Sequence, residues 1–140
     1  MSRTCTALPF LKSWLTPSRL QHSLGVMRAM AELTPIYSLD RAQAMTAGLL
    51  HDAARDLDGE HQLALAEEAG IELHDPCEQH PIYLHALVGA YLAAKELGLT
   101  DHLILDAIAA HSYAGNGQNF DTRLSRCLRF ADILAPSQEW

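Results

Sequence analysis

The sequence predicts an all-α fold, a compact bundle of about six to seven helices. Three observations predict it. Apolar residues recur at helical spacing through most of the chain. Capping residues precede those stretches, and glycine or proline follows them. No stretch alternates as a half-buried strand would, and Ile71-Glu72-Leu73 is too short to count as one. The chain has 140 residues, 49% of them hydrophobic, enough for one domain with a real core.

Each element has its own justification. Thr16-Pro17 reads as a cap followed by proline at the first helical position. The first helix should run from there to about Leu33, with Pro35 beyond it. At about 100° per residue, Leu20, Leu24, Met27 and Ala31 share one side, and Val26, Met30 and Leu33 another. Gln21, Gly25, Arg28 and Glu32 form the solvent strip, and Arg19 and His22 lie opposite it, three residues apart on one surface. Asp40 caps the next helix, which holds Ala42, Ala44, Met45, Ala47, Gly48, Leu49 and Leu50 and is apolar nearly all round, the mark of a central helix. Asp58 caps HQLALAEEA, which Gly70 closes. After a loop containing Pro76 and Pro81, a helix spans about Ile82 to Leu97 and stops at Gly98. Thr100 caps TDHLILDAIAAH, residues 112–120 (SYAGNGQNF) form a loop, and Asp121 caps a last helix that ends before Pro136.

The bulk chemistry narrows the function. A net charge of −7 argues against generic binding to nucleic acid, although a local pocket can still be positive. Cys5, Cys77 and Cys127 form no CxxC and read as reduced thiols of a cytoplasmic protein. The first residues, MSRTCTALPFLKSW, contain no apolar run of signal-peptide length, and no segment approaches the roughly 20 apolar residues of a membrane helix.

The stretch GLLHDAARDL, residues 48–57, places His51 and Asp52 side by side among apolar neighbours. A buried carboxylate is costly without a positive partner. His22 lies on the buried side of its helix, His85 in a mainly apolar helix, His111 at a helix end and Asp132 near the end of the last helix. Nitrogen and oxygen donors without sulfur suit a divalent transition metal. Taken singly, His111 reads as a helix-end cap, and Asp132 as a partner of Arg129. His61, His74, His80 and His102 read as surface or loop residues. The order of the set, a His, then His-Asp, then two more His, then a late Asp, is what points to one site.

That order resembles the HD superfamily of metal-dependent phosphohydrolases, and most closely the YqeK-like branch of symmetrical bis(5'-nucleosyl)-tetraphosphatases. The resemblance rests on RLQHSLGV at 19–26, AGLLHDAARDL at 47–57, HPIYLHALVGAYLA at 80–93, DAIAAHS at 106–112 and LRFADILAP at 128–136. It implies that His22, His51, Asp52 and Asp132 hold a metal. It implies too that His85 and His111 hold a second ion, with Asp52 bridging, or touch the substrate phosphates. Asp52, His85 and His111 would then be the catalytic set, and Arg19 and Arg55 would contact phosphate. Arg55 stands where many relatives have lysine, and its guanidinium can still bind phosphate bidentately. The implied reaction is attack of a metal-activated water on phosphorus, splitting diadenosine tetraphosphate into two ADP. One or two ions are implied, iron first, with manganese or zinc as alternatives. The implied partners are a nucleotide substrate and a second copy in a homodimer, with no nucleic acid and no membrane.

The same resemblance implies one HD-type domain over residues 1–140, without the family's C-terminal extension. Relatives often carry Glu before the proline that follows the last ligand, and Arg beyond it; here Ala135 precedes Pro136 and no Arg follows. The loop at 112–120 also departs from the shorter Thr-Gly pattern usual there. Two further readings keep the fold. One is an HD hydrolase of another nucleotide or phosphate ester, and the other a non-catalytic nucleotide- or metal-sensing module. The complete ligand set argues against the second.

Overall fold

Seven α-helices and no strand make up the regular structure of the described residues, which are 3–72, 81–111 and 122–135 of a computed structural model. The first helix, α1 (Arg3–Trp14), has no counterpart among the predicted elements. Pro9 lies inside it, which argues against a helix on propensity alone. Tertiary burial overrides that: Ala7, Leu11 and Leu15, four residues apart, are all buried.

Thr16 caps α2 (Pro17–Tyr37) as expected, its side chain accepting the Arg19 N–H at 3.3 Å. The helix does not stop at Leu33; it runs through Pro35 to Tyr37. Proline cannot donate to the carbonyl four residues back, which here belongs to Ala31. The Thr34 hydroxyl donates to that carbonyl instead, at 2.8 Å. Ser38 then ends the helix in the left-handed conformation, at φ 56°. The predicted solvent strip needs one correction: Gly25 is buried, because α2 packs against three other helices.

Asp40 caps α3 (Arg41–Leu50). This short helix packs against α1, α2, α6 (His102–Ala110) and α7 (Arg123–Leu134). Its central place matches its apolar composition, with Ala44, Ala47, Leu49 and Leu50 all buried. Gly48 permits the close approach of α2: a Cβ there would lie 2.9 Å from Met27 Cα and 3.1 Å from the Val26 carbonyl oxygen.

Asp58 caps α4 (Gly59–Ala69), and Gly70 closes it at φ 73°. With α5 (Pro81–Leu97) it forms a second apolar cluster of Ala54, Ala66, Leu84, Val88 and Leu92. Two predicted caps shift by one residue. Asp101 rather than Thr100 caps α6, and its other oxygen accepts the Gln43 amide from α3 at 2.9 Å. Thr122 rather than Asp121 caps α7, accepting the Ser125 N–H at 3.0 Å. In both places two capping residues adjoin, and local chemistry does not choose between them. No helix of the described residues is long and apolar enough to cross a membrane. Cys127 is buried and free, whereas the loop predicted at 112–120, His74 and His80 lie outside the described residues.

Candidate metal centre

Five elements converge on Asp52. His22 comes from α2, His51 from the C-terminal cap of α3, His85 from α5, His111 from the C-terminal cap of α6 and Asp132 from α7. His22, His51, Asp52, His85 and His111 are all buried, and Asp132 is partly buried. The helix ends explain two of the imidazoles. Each closing turn leaves carbonyls without an intrahelical donor. His51 Nδ1 donates to the Gly48 carbonyl at 2.7 Å, and His111 Nδ1 to that of Ile108 at 2.7 Å. Both rings are thereby turned so that Nε2 faces the cluster, the arrangement that a carbonyl bonded to the other ring nitrogen imposes on metal-binding histidines.

The two oxygens of Asp52 face different partners. Oδ2 lies 3.4 Å from His51 Nε2 and 3.8 Å from His22 Nε2. Oδ1 lies 3.3 Å from His85 Nε2 and 3.2 Å from His111 Nε2. Asp132 Oδ1 joins the first group, 2.7 Å from His22 Nε2 and 3.3 Å from His51 Nε2. In the second group the His85 and His111 Nε2 atoms are 3.0 Å apart. The cluster thus divides into two donor triads, His22–His51–Asp52 and Asp52–His85–His111, each with ligand atoms within 4.8 Å of one another.

Electrostatics explain what such a cluster needs. Burial works against a charge on His51, but Asp52 and Asp132 outweigh it and push its pKa up to about 10. Burial also opposes ionisation of Asp52, yet the His51 charge and the close imidazoles of His111, His51 and His85 hold it well below the usual carboxylate range. Asp132 is held low as well, against burial, by His22 and His51. Burial pushes His111 down, towards its neutral form. Two ionised carboxylates therefore demand positive charge at one place. A proton on His51 supplies some of it, and a divalent cation would supply more.

The donors fit such a cation. His51 Nε2 is fully buried with no hydrogen-bond partner, and it faces carboxylate oxygens of Asp52 and Asp132. The set is nitrogen and oxygen only, which suits iron, manganese or zinc. All six residues predicted as ligands are brought together. Arg19 sits at the rim, with Nη1 3.5 Å from Asp52 Oδ2 and its side chain 31% exposed. Arg55 is partly buried; its backbone N–H donates to the Asp52 carbonyl at 2.9 Å, but among the described residues no ion pair ties its guanidinium to the cluster. His61 and His102 are exposed, as read from the sequence.

Two supporting residues went unpredicted. Gln62, fully buried on α4, donates its amide to the carbonyls of Ala54 and Leu57 at 3.1 and 2.9 Å, and so holds the turn that carries Asp52. Asp56 accepts from Thr16 and pairs with Arg19. Its position four residues after Asp52 was the one available signal.

An all-helical scaffold with a shared buried carboxylate between two histidine groups defines a class of metal-binding helical domains. Comparison with known proteins sharpens this. The family model for the HD domain matches residues 19–137, and the chain belongs to the HD domain family. It is 31% identical over 134 residues to the symmetrical bis(5'-nucleosyl)-tetraphosphatase of Halalkalibacterium halodurans, covering 96% of this chain and 70% of that protein. The Bacillus subtilis protein of the same name is 33% identical over 132 residues, covering 94% and 69%. A crystal structure from Clostridium acetobutylicum, described as a predicted HD superfamily hydrolase involved in NAD metabolism, superposes with a TM-score of 0.87 at 34% identity. That match covers 97% of this chain and 70% of that one.

Proposed function

We propose that the chain is a metal-dependent hydrolase of dinucleoside polyphosphates, cleaving diadenosine tetraphosphate symmetrically to two ADP. The observation that carries this is the division of Asp52, one oxygen toward His22 and His51 and the other toward His85 and His111. The names of the Halalkalibacterium and Bacillus relatives supply the substrate class. In this reading His22, His51, Asp52 and Asp132 would hold one ion, and Asp52, His85 and His111 would hold a second or meet a phosphate. A divalent metal at this place would neutralise phosphate charge and bring the pKa of a water toward neutrality. Iron is the metal proposed, with manganese and zinc as the other candidates.

The residues of the chain do the rest. Asp52 orients both donor groups at once. Asp132 and Asp52 supply the negative charge that retains a cation. Arg19, half-exposed beside Asp52, stabilises charge on a phosphate oxygen, and Arg55 serves the same purpose from the following turn. The whole of residues 1–140 forms one domain in this reading, in a cytoplasmic protein. A homodimer would cover Phe130, Ile133 and Leu134, which are 49, 57 and 54% exposed on α7.

The test is incubation of iron- or manganese-loaded protein with diadenosine tetraphosphate, other nucleotides and NAD. ADP as the sole product from the tetraphosphate is expected. AMP plus ATP would overturn the symmetrical cleavage, and turnover of another phosphate ester alone would move the assignment to that substrate.

A further inference from the structure

We propose that Asp56 is a positioning residue for Arg19, holding its guanidinium in place for a substrate phosphate once Asp52 is engaged by metal. This rests on the reading of Arg19 as a phosphate contact. Asp56 Oδ2 accepts two hydrogen bonds from Thr16, from the backbone N–H at 2.9 Å and from the hydroxyl at 3.1 Å. The same Thr16 hydroxyl oxygen accepts the backbone N–H of Arg19 at 3.3 Å. The carboxylate is therefore fixed to the cap of the helix that carries Arg19. Its free oxygen, Oδ1, lies 4.0 Å from Arg19 Nε, an ion pair without a hydrogen bond.

One guanidinium is thus shared by two carboxylates four residues apart, with Nη1 toward Asp52 and Nε toward Asp56. The two carboxylates differ in their other partners. Asp52 Oδ2 also faces His22 and His51, so it belongs to a donor set. With a cation there, the Asp52 charge would be taken up and the guanidinium would no longer be held by it. Asp56 pairs with none of the cluster histidines among the described residues, so its charge remains for Arg19. Holding Arg19 by its Nε side leaves the Nη fork for bidentate contact with a phosphate. The side chains of Arg19 and Asp56 are 31 and 23% exposed, so the pair adds little to fold stability and acts mainly on orientation.

A double-mutant cycle tests this on the full manganese-loaded chain, with inorganic pyrophosphate as the probe in calorimetry. Asp56→Asn keeps an acceptor for both Thr16 donors and removes the charge. It is expected to weaken pyrophosphate binding by about three- to fivefold, with manganese content and thermal midpoint unchanged. In an Arg19→Ala background the same change is expected to cost nothing more. If Arg19→Ala weakens binding while Asp56→Asn has no effect, or adds its effect in full, the positioning role is overturned and the reading of Arg19 stands. If Arg19→Ala itself binds pyrophosphate as the wild type does, the reading of Arg19 fails, and this inference with it. Failure of Asp56→Asn to fold would make Asp56 a structural residue instead.

Discussion

Substituting Gly48 by alanine tests whether the approach of α2 to α3 builds the metal centre. The new Cβ would sit 2.9 Å from Met27 Cα, 3.0 Å from Met27 N and 3.1 Å from the Val26 carbonyl oxygen. These are backbone atoms, and no rotamer change moves them. Ordinary carbon contacts are about 3.5–4.0 Å, so relief requires the helices to part by about 0.6–1 Å. Overpacking of this kind costs about 1–3 kcal/mol, and the better helix propensity of alanine returns about 1 kcal/mol. The net cost of about 0–2 kcal/mol lowers the thermal midpoint by up to several degrees for a domain of this size. The larger effect falls on the site. His22 lies on α2, and Gly48 offers its carbonyl to His51. Parting the helices draws His22 from His51, whereas metal–ligand distances tolerate only about 0.2 Å. Metal affinity is expected to fall by at least about tenfold, the scale of disrupted supporting contacts at metal sites. Calorimetric metal titration beside a thermal melt measures both. A Gly48→Ala protein that melts higher than wild type and keeps full metal affinity would refute the argument.

The remaining predictions concern charge at the cluster. Asp52→Ala should lose metal and hydrolysis together while keeping its helical circular dichroism, because the one carboxylate serves both donor triads; retention of stoichiometric metal would contradict its shared role. In chelator-treated protein, His51 titrates near 10 when folded and near its ordinary 6.5 when unfolded. Its stabilisation is complete below about pH 6.5 and fades as pH rises toward 10. Asp52 and Asp132 are depressed, so their stabilisation holds above the ordinary carboxylate range and is lost on acidification. Melts of the chelated protein should therefore fall from pH 7 to 9.5 and also below pH 4 (a flat or rising alkaline limb counts against the assigned protonation). Added metal replaces the His51 proton and should flatten the alkaline fall.

Most of the fold was legible before the structure for local reasons, and the six proposed ligands through their order along the chain. Asp40, Asp58 and Gly70 act within one turn of chain, so their chemistry can be read from neighbours alone. The ligands are legible as residue types in an order that matches a known pattern. Failures arose where the deciding partner is distant or unusual. The α1 helix depends on burial of Leu11 against the rest of the core. The extension of α2 depends on Thr34 replacing the donor that Pro35 lacks. Asp101 is chosen over Thr100 where Gln43 of α3 meets it. The division of Asp52 between two histidine groups, the pairing of Asp56 with Thr16 and the clamp by Gln62 all join residues far apart in sequence. Spacing along one helix does not reveal them.

The Gln62 clamp carries a consequence for how this site can vary. Residues 51–57 form a run of irregular turns with only short-range backbone bonds, yet they carry Asp52 and its neighbours Arg55 and Asp56. A single amide from α4, a helix that donates no ligand, closes two of the carbonyls in that run. Insertions or deletions between Asp52 and Gln62 would therefore re-aim the carboxylate while leaving every proposed ligand residue in the sequence. The ten-position separation of Asp52 and Gln62 is as much a part of the centre's specification as the histidines themselves.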